Sequence, residues 1–332
     1  MRAQIIPAWG GAENFEVATL PDPAPGPGEV LVQIAASSVN PADHKLRQAG
    51  PPIAPELPAV LGCDAAGRVL AVGDGVEGFA PGDEVYGCVG GVRGVPGCYA
   101  EMIAADARLF APKPASLTLR EAAALPLVTI TAWEGLDRAG VRAGQSVLVH
   151  GGAGGVGHVA VQLAKARGAV VSTTVSSEEK AALARSLGAD HTIDYRAESV
   201  DDYVARLTGG TGFDVVYDAT GGSDIASSFQ AARLNGQVVT IVSMYDADLT
   251  PMHIKGLTLH VVFMLIPMLH DVDRAEHGRI LREAAALADA GGLRPHLDPK
   301  RFDFASVADA HRHLEGGHAV GKVVIDVAER LA

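Results

Sequence analysis

Hydrophobic and polar positions change rhythm about a third of the way along the chain. Before residue 119 the apolar residues come in short runs, EVLVQIAASSV, AAGRVLAVG and DEVYGCV, separated by the turn signals PGPG, GDGVEG and APGD. Closely spaced strands with glycine and proline punctuation predict an antiparallel barrel or sandwich. From about Leu119 strand-like and helix-like segments alternate, which predicts a parallel sheet covered by helices. SVLVH reads as a buried strand. A helix over 155–167 follows, with Val156, Val159, Ala160, Leu163 and Ala164 on one face and Gly168 as its stop. AVVSTTV is the next strand. Ser176 and Glu179 have capping-box spacing and open a helix that runs to Leu187 and stops at Gly188. HTIDY, a helix near 200–207, FDVVYDAT, a helix near 223–233, QVVTIVS and LTLHVVF complete six strands with crossover helices, one doubly wound unit. Two more helices and the strand KVVIDV close the sequence. That tail needs partners in the first part, so the chain is expected to return there. No linker composition separates the two parts, and they are expected to share an interface and a cleft. The expected domains are 1–126 with 266–332, and 127–265.

Composition narrows the partners. The chain has 332 residues, 48% hydrophobic and 20% charged, enough for two cores. A formal net charge of -12 argues against nucleic acid or an anionic membrane as the main partner, though not against a small anionic ligand. Cys63, Cys88 and Cys98 show no paired spacing and fit a reducing compartment rather than a disulfide framework. The N-terminal stretch lacks the apolar core of a signal peptide, and LTLHVVFMLIPML is too short for a membrane span. The chain is therefore read as cytoplasmic.

The candidate chemistry lies in GGAGGVG, after the strand SVLVH. Gly152, Ala153, Gly154, Gly155, Val156 and Gly157 form a G-x-G-x-x-G that follows a strand and opens an amphipathic helix. That context is what a dinucleotide fingerprint requires: glycines let the backbone approach a pyrophosphate, and the helix N-terminus supplies N–H groups. A tight packing turn is the bland alternative, and a nucleoside-triphosphate loop lacks its Gly-Lys-Ser/Thr. An NAD site usually ends its second strand in a carboxylate. Here that end reads Thr174, Val175, Ser176, Ser177, with Lys180 in the following helix and Tyr195 ending the third strand. Hydroxyls, a lysine and a helix end suit a 2′-phosphate, so the expected cofactor is NADPH.

With these residues in view, the chain resembles the medium-chain dehydrogenase/reductase superfamily, especially its zinc-free quinone oxidoreductase branch. The resemblance is carried by SSVNPADHKLRQAG, PAVLGCDAAGRVLAVG, FAPGDEVYG, CYAEMIAAD, EAAALPLVTITAWEGL, GQSVLVHGGAGGVGHVAVQLAKARGA, LGADHTIDYR, FDVVYDATGG and GKVVIDV, in the family's order. It implies an α/β fold in which a Rossmann doubly wound parallel-sheet domain is inserted into a GroES-like β-barrel domain, with a cofactor in the cleft and, commonly, a homodimer. It assigns the phosphate loop to residues 152–157, and the 2′-phosphate site to Ser176, Lys180 and Tyr195, at the strand end that includes Thr174. Thr131, Val242, Ser243, Phe263 and Leu265 fall in segments flanking the nicotinamide. Lys322 stands in the terminal GK motif without an assigned role.

Zinc-dependent relatives have a cysteine where this chain has Asn40 and a His-Glu pair where it has Cys63-Asp64, so no metal is expected. Cys63 reads as a small buried hydrophobe. Without a Lewis acid, a conjugated acceptor is the easier substrate, because the charge left by hydride spreads onto a distant oxygen. The expected reaction is hydride transfer from NADPH to a quinone or an α,β-unsaturated carbonyl compound. Asn40 is the candidate donor to a substrate oxygen or the nicotinamide ribose. Asp43 either orients that loop or caps a helix. The proton source stays open among water, His44 and Arg47, while Arg47 also reads as a surface ion-pair residue. His150, His158 and His260 read as structural. A zinc alcohol dehydrogenase and a non-catalytic NADPH-binding protein on the same fold are the competing readings.

Overall fold

The computed structural model describes residues 1–222 and 225–328. The chain begins with β1 (Arg2–Ile6), β2 (Glu16–Thr19), β3 (Glu29–Val39), α1 (Pro41–Ala49), β4 (Ala59–Val60), β5 (Asp64–Val72), β6 (Glu84–Cys88), β7 (Met102–Asp106) and β8 (Phe110–Pro112). After α2 (Leu119–Ala122) and α3 (Pro126–Arg138) come β9 (Ser146–His150), α4 (Gly157–Ala166), β10 (Val170–Val175), α5 (Glu178–Ser186), β11 (His191–Asp194), α6 (Val200–Thr208), β12 (Phe213–Asp218), α7 (Ile225–Ala231), β13 (Ala232–Thr240), α8 (Thr250–Lys255) and β14 (Thr258–Val261). The last stretch holds α9 (Ile266–His270), α10 (Arg274–Asp289), β15 (Phe302–Asp303), α11 (Val307–Glu315) and β16 (Val323–Asp326).

Two compact units result. One comprises Met1–Leu127, Leu265–Gly291 and Pro295–Ala332; the other comprises Val128–Met264 and Gly292–Arg294. In the first, a seven-stranded sheet runs β15-β16-β3-β5-β6-β8 with β7 also on β3, and β2-β1-β4 form a smaller sheet. The returning strand β16 lies antiparallel to β3, pairing Val324 with Ser38, so the tail completes the sheet begun at the N-terminus.

The second unit has a six-stranded sheet in the order β11-β10-β9-β12-β13-β14, and every pair is parallel. Counted from β9 this is 3-2-1-4-5-6, the doubly wound order. Its strands run as continuous apolar segments because both faces are covered. Leu148, Phe213, Val216, Phe229 and Val238 belong to a buried cluster on one face. Gly292–Arg294 joins this unit through Gln162, whose Oε1 accepts from Arg294 N at 2.9 Å and whose Nε2 donates to Arg294 O at 3.0 Å.

Several boundaries differ from the sequence reading for local reasons. The glycines of residues 151–156 form turns, so α4 starts at Gly157 rather than at 155. The helix expected from 223 begins outside the described residues, and the chain already turns extended at Ala232.

Candidate functional site

The order reversal at β9 puts a crevice beyond the carboxyl ends of β9 and β12, and the glycine run issues from β9 at that point. Gly152 lies against β10: a Cβ there would collide with Thr173 Oγ1. Gly157 lies against the start of its own loop, where a Cβ would collide with Gly151 O. The two outer glycines of the motif are therefore fixed by backbone proximity. Gly154 N–H donates to Gly151 O at 2.9 Å, which tightens the turn carrying Ala153, Gly155 and Val156. Val156 is the N-cap of α4 and has no side chain that can accept from the first turn. A helix start without a side-chain cap is a cradle suited to an external anion. Thr174 is buried and its Oγ1 accepts from Gly151 N at 2.9 Å, so it anchors the loop.

The end of β10 lies beside the end of β11, with Val175 paired to Asp194. The cap of α5 is Ser177, one residue later than expected, because Ser177 is the last extended residue and its Oγ accepts from Lys180 N at 3.3 Å. Ser176 is thereby released from capping, and its hydroxyl accepts from Lys180 Nζ at 3.2 Å. Arg196, absent from the sequence reading, donates from Nη1 to Ser176 O at 3.2 Å and stacks its guanidinium 5.8 Å from the centre of the exposed Tyr195 ring. The neighbouring carboxylate of Asp194 is occupied by Arg196 N at 3.0 Å. Two cations, a hydroxyl and an aromatic ring thus gather at one strand end.

The remaining expected cofactor positions spread over several elements. Thr131 is buried on α3, and its carbonyl accepts from Tyr217 OH at 2.8 Å. Val242 and Ser243 follow β13, with Val242 N and O both near Thr240 Oγ1. Phe263 is 41% exposed after β14, whereas Leu265 is buried at the N-cap of α9. The sequence reading missed Asp218. Its Oδ1 accepts from Thr220 N, Thr220 Oγ1 and Gly221 N at 3.1, 2.8 and 2.7 Å, shaping the loop after β12. The Asp-Ala-Thr-Gly order there is an Asx-turn signal.

A second constellation lies wholly in the first unit. Asn40 follows β3 at the N-cap position of α1, and its side chain is fully buried. Its Nδ2 donates to Asp64 Oδ2 at 2.8 Å, and its Oδ1 accepts from Lys322 Nζ. Asp64 also accepts from Ser38 Oγ at 2.7 Å and, through Oδ1, from Leu127 N at 2.8 Å. Asp43 Oδ2 accepts from Asn40 N at 2.8 Å, and its Oδ1 accepts from Cys63 Sγ at 3.2 Å. Of the two roles left open for Asp43, these contacts supply the helix cap. Burial pushes its carboxyl up to about 6, since a carboxylate out of water is disfavoured. Burial lowers Lys322 from the usual lysine range, while Asp64 and Asp43 oppose that shift.

Residues 26–115 match the sequence model of the alcohol dehydrogenase GroES-like domain, and residues 187–325 that of the zinc-binding dehydrogenases. The chain is 39% identical over 306 residues to the 2-methylene-furan-3-one reductase of Solanum lycopersicum, covering 90% of this chain and 71% of that protein. It is 36% identical over 333 residues to the chloroplastic NADPH-dependent alkenal/one oxidoreductase of Arabidopsis thaliana, covering 98% and 79%. An alcohol dehydrogenase superfamily protein from Novosphingobium aromaticivorans has a similar structure, with a TM-score of 0.94 at 45% identity over 99% of this chain and 100% of that one. The chain belongs to the medium-chain dehydrogenase/reductase superfamily.

Within that superfamily the zinc question is decided by donor chemistry. Zinc needs deprotonated, available ligands. The Asn40 carboxamide is held at both ends, and the positive charge beside Asp64 is already the Lys322 ammonium, 3.8 Å away. A hydrogen bond with Cys88 and burial push the Cys63 thiol well above its ordinary value, away from thiolate. These residues do not fit zinc, and among the described residues no group of three or more His, Cys, Asp or Glu side chains could hold a metal ion. The chain falls in the zinc-free branch of the medium-chain dehydrogenase/reductases.

The basic side chains considered as proton sources differ in setting. Arg47 is not a surface residue: it is fully buried, donating to Gly10 O at 2.6 Å and to Glu315. Burial lowers His44 below the usual histidine range. His158 Nδ1 lies 3.0 Å from Gly154 O, His150 Nδ1 3.4 Å from Thr174 Oγ1, and His260 Nε2 2.8 Å from Gln237 Oε1, all contacts that brace the backbone or a neighbouring strand.

Proposed function

We propose that this protein is an NADPH-dependent reductase of α,β-unsaturated carbonyl compounds or quinones that works without a metal. The observation that carries the reading is the pairing of the glycine cradle after β9 with the Ser176, Lys180, Tyr195 and Arg196 cluster at the ends of β10 and β11. The cradle suits a pyrophosphate, and the cluster suits a 2′-phosphate in place of a bare ribose hydroxyl. Reductases of this acceptor class among the relatives support it. The test is initial-rate oxidation of NADPH and NADH against panels of enones and quinones. Turnover with NADPH supports the proposal, whereas binding without turnover across the panels points to a non-catalytic NADPH-binding protein. Chelator-sensitive alcohol oxidation would point instead to a zinc enzyme.

When bound, NADPH supplies a hydride. Residues 152–157 would hold the diphosphate, Lys180 and Arg196 would hold the 2′-phosphate, and the Tyr195 ring would pack on the nucleotide end. Thr131, Val242, Ser243, Phe263 and Leu265 would border the nicotinamide end. Asn40, fully buried between Asp64 and Lys322, would act on the acceptor end through the segment it fixes at the head of α1. Asp43 keeps Asn40 at the head of α1 by capping it.

The working form is a homodimer. β14 is an edge strand of the six-stranded sheet, and Val261 and Phe263 at its end are 43% and 41% exposed. Arg138 Nη1 donates to Val261 O at 2.6 Å at the end of this edge, and the exposed apolar side chains beside it suit an identical copy related by symmetry. The cytoplasm is the proposed location; the three buried free thiols suit a reducing compartment. No helix of the described residues is long and apolar enough to cross a membrane.

A further inference from the structure

The residue that anchors the glycine cradle is Gly151, just outside the 152–157 motif. It has a φ of 72°, so the chain turns sharply as it leaves β9. Its N–H donates to Thr174 Oγ1 at 2.9 Å, and its oxygen accepts from Gly154 N at 2.9 Å. That same oxygen is what a Cβ on Gly157 would strike. A Cβ on Gly151 would lie 2.9 Å from Thr220 Cγ2, so the loop after β12 packs against it. Gly151 is thus held by β10, by its own loop and by the β12 loop, and all of these lie in the compact unit that contains Val128–Met264.

Thr220 is placed in turn by Asp218. Asp218 is the last residue of β12, paired with His150 of β9 and Thr240 of β13, and its side chain is fully buried. Burying a carboxylate is costly unless it is hydrogen-bonded. Its Oδ1 takes three donors of the turn, Thr220 N, Thr220 Oγ1 and Gly221 N, all within 3.1 Å. Its Oδ2 has no hydrogen-bond partner among the described residues, so the hold on the turn runs through one oxygen. Bonding the Thr220 hydroxyl fixes χ1, and that fixes where the methyl group points. The turn is also backed on its other side, because a Cβ on Gly221 would come within 2.5 Å of Val242 Cβ.

We propose that Asp218 is a positioning residue for the diphosphate cradle: through Thr220 it presses the β12 loop onto Gly151 and so sets the backbone of residues 151–157 for an incoming dinucleotide. This rests on the reading of that cradle as the NADPH diphosphate site. Asp218 acts on the loop and makes no contact with the cofactor itself. A main-chain anion site gains affinity when its N–H groups are aimed before the ligand arrives.

The test separates two parts of one ligand, by calorimetry and phosphorus NMR on the full chain. NADPH carries a diphosphate and a 2′-phosphate with distinct resonances, and adenosine 2′-monophosphate carries only the second group. D218A removes the acceptor of the turn. Its affinity for NADPH should fall about tenfold, the size of one charge-assisted contact, and the bound diphosphate resonances should move toward those of free NADPH. The bound 2′-phosphate resonance, and the affinity for adenosine 2′-monophosphate, should stay as in wild type. D218N keeps a carbonyl oxygen for the turn and should restore most of the affinity. T220S keeps the hydroxyl but lacks the methyl group, and should show a loss confined to the diphosphate; if D218A does not fold, T220S is read in its place. Wild-type NADPH affinity in D218A, a D218N variant as weak as D218A, or equal losses for NADPH and adenosine 2′-monophosphate would overturn the role of Asp218. Wild-type protein that binds neither ligand overturns the cofactor reading itself, and that result depends on no variant.

Discussion

At the scale of single residues, three sites respond to substitution in different ways. Gly157→Ala forces a Cβ against the backbone oxygen of Gly151, which cannot rotate away. It should weaken NADPH binding at least about tenfold by calorimetry and lower the melting temperature, as strained backbone sites do. Alanine at Lys180 or Arg196 should lower kcat/KM for NADPH about tenfold each and leave NADH nearly unchanged; equal losses with both cofactors would contradict a 2′-phosphate role. Asp43 makes a pH prediction. Its carboxyl is raised from 3.8 to about 6 in the fold, so the folded state holds an extra proton between those values. Stability contributed by that proton is complete below about 4 and is lost as pH rises through about 6, a difference on the order of 3 kcal/mol. Asp43→Asn keeps an oxygen for the Asn40 N–H and removes the titration. Its stability relative to wild type should therefore rise between pH 4 and pH 7 in chemical denaturation, and a constant difference would contradict the burial argument. The glycines and Lys180 were legible in the sequence because their partners are local. Lys322 was not, because its partner Asn40 is 282 residues away and only the fold joins them. Arg196 was missed because its contacts with Ser176 O and the Tyr195 ring form only where the ends of β10 and β11 meet.

At the scale of elements, apolar runs and glycine stops were enough to place the six strands of the parallel sheet, while their order came from the structure. Boundaries slipped where glycine-rich turns competed with a helix start, as before Gly157, and where two adjacent serines could each cap α5. Ser177 took the cap, and the Ser176 hydroxyl was left to accept from Lys180 Nζ, a distinction of one residue that spacing alone does not make. The edge strand β14 carries the prediction about assembly. Val261→Lys places a charge on that edge, a substitution that blunts strand pairing. Light scattering should then show a monomer where the wild type is a dimer, with the circular dichroism spectrum unchanged. An unaltered dimer mass would place the interface elsewhere.

At the scale of the whole molecule, each compact unit carries one polar constellation. One compact unit carries the phosphate cradle and the cationic strand end, and the other carries a buried, charge-locked amide. Neither motif alone implies a reaction, because a glycine loop binds nucleotides of many kinds and a buried lysine can be merely structural. In the proposed reaction the first would retain an anionic hydride source, and conjugation in the acceptor would spread the charge left by the hydride without a Lewis acid. The most direct test follows the isotope. Purified enzyme is given an enone and NADPH carrying deuterium at the transferable C4 position, and the product is read by mass spectrometry and NMR. The account predicts one deuterium at the β-carbon and a solvent-derived proton at the α-carbon. Product without deuterium at the β-carbon, or no product while NADPH is bound, would contradict it.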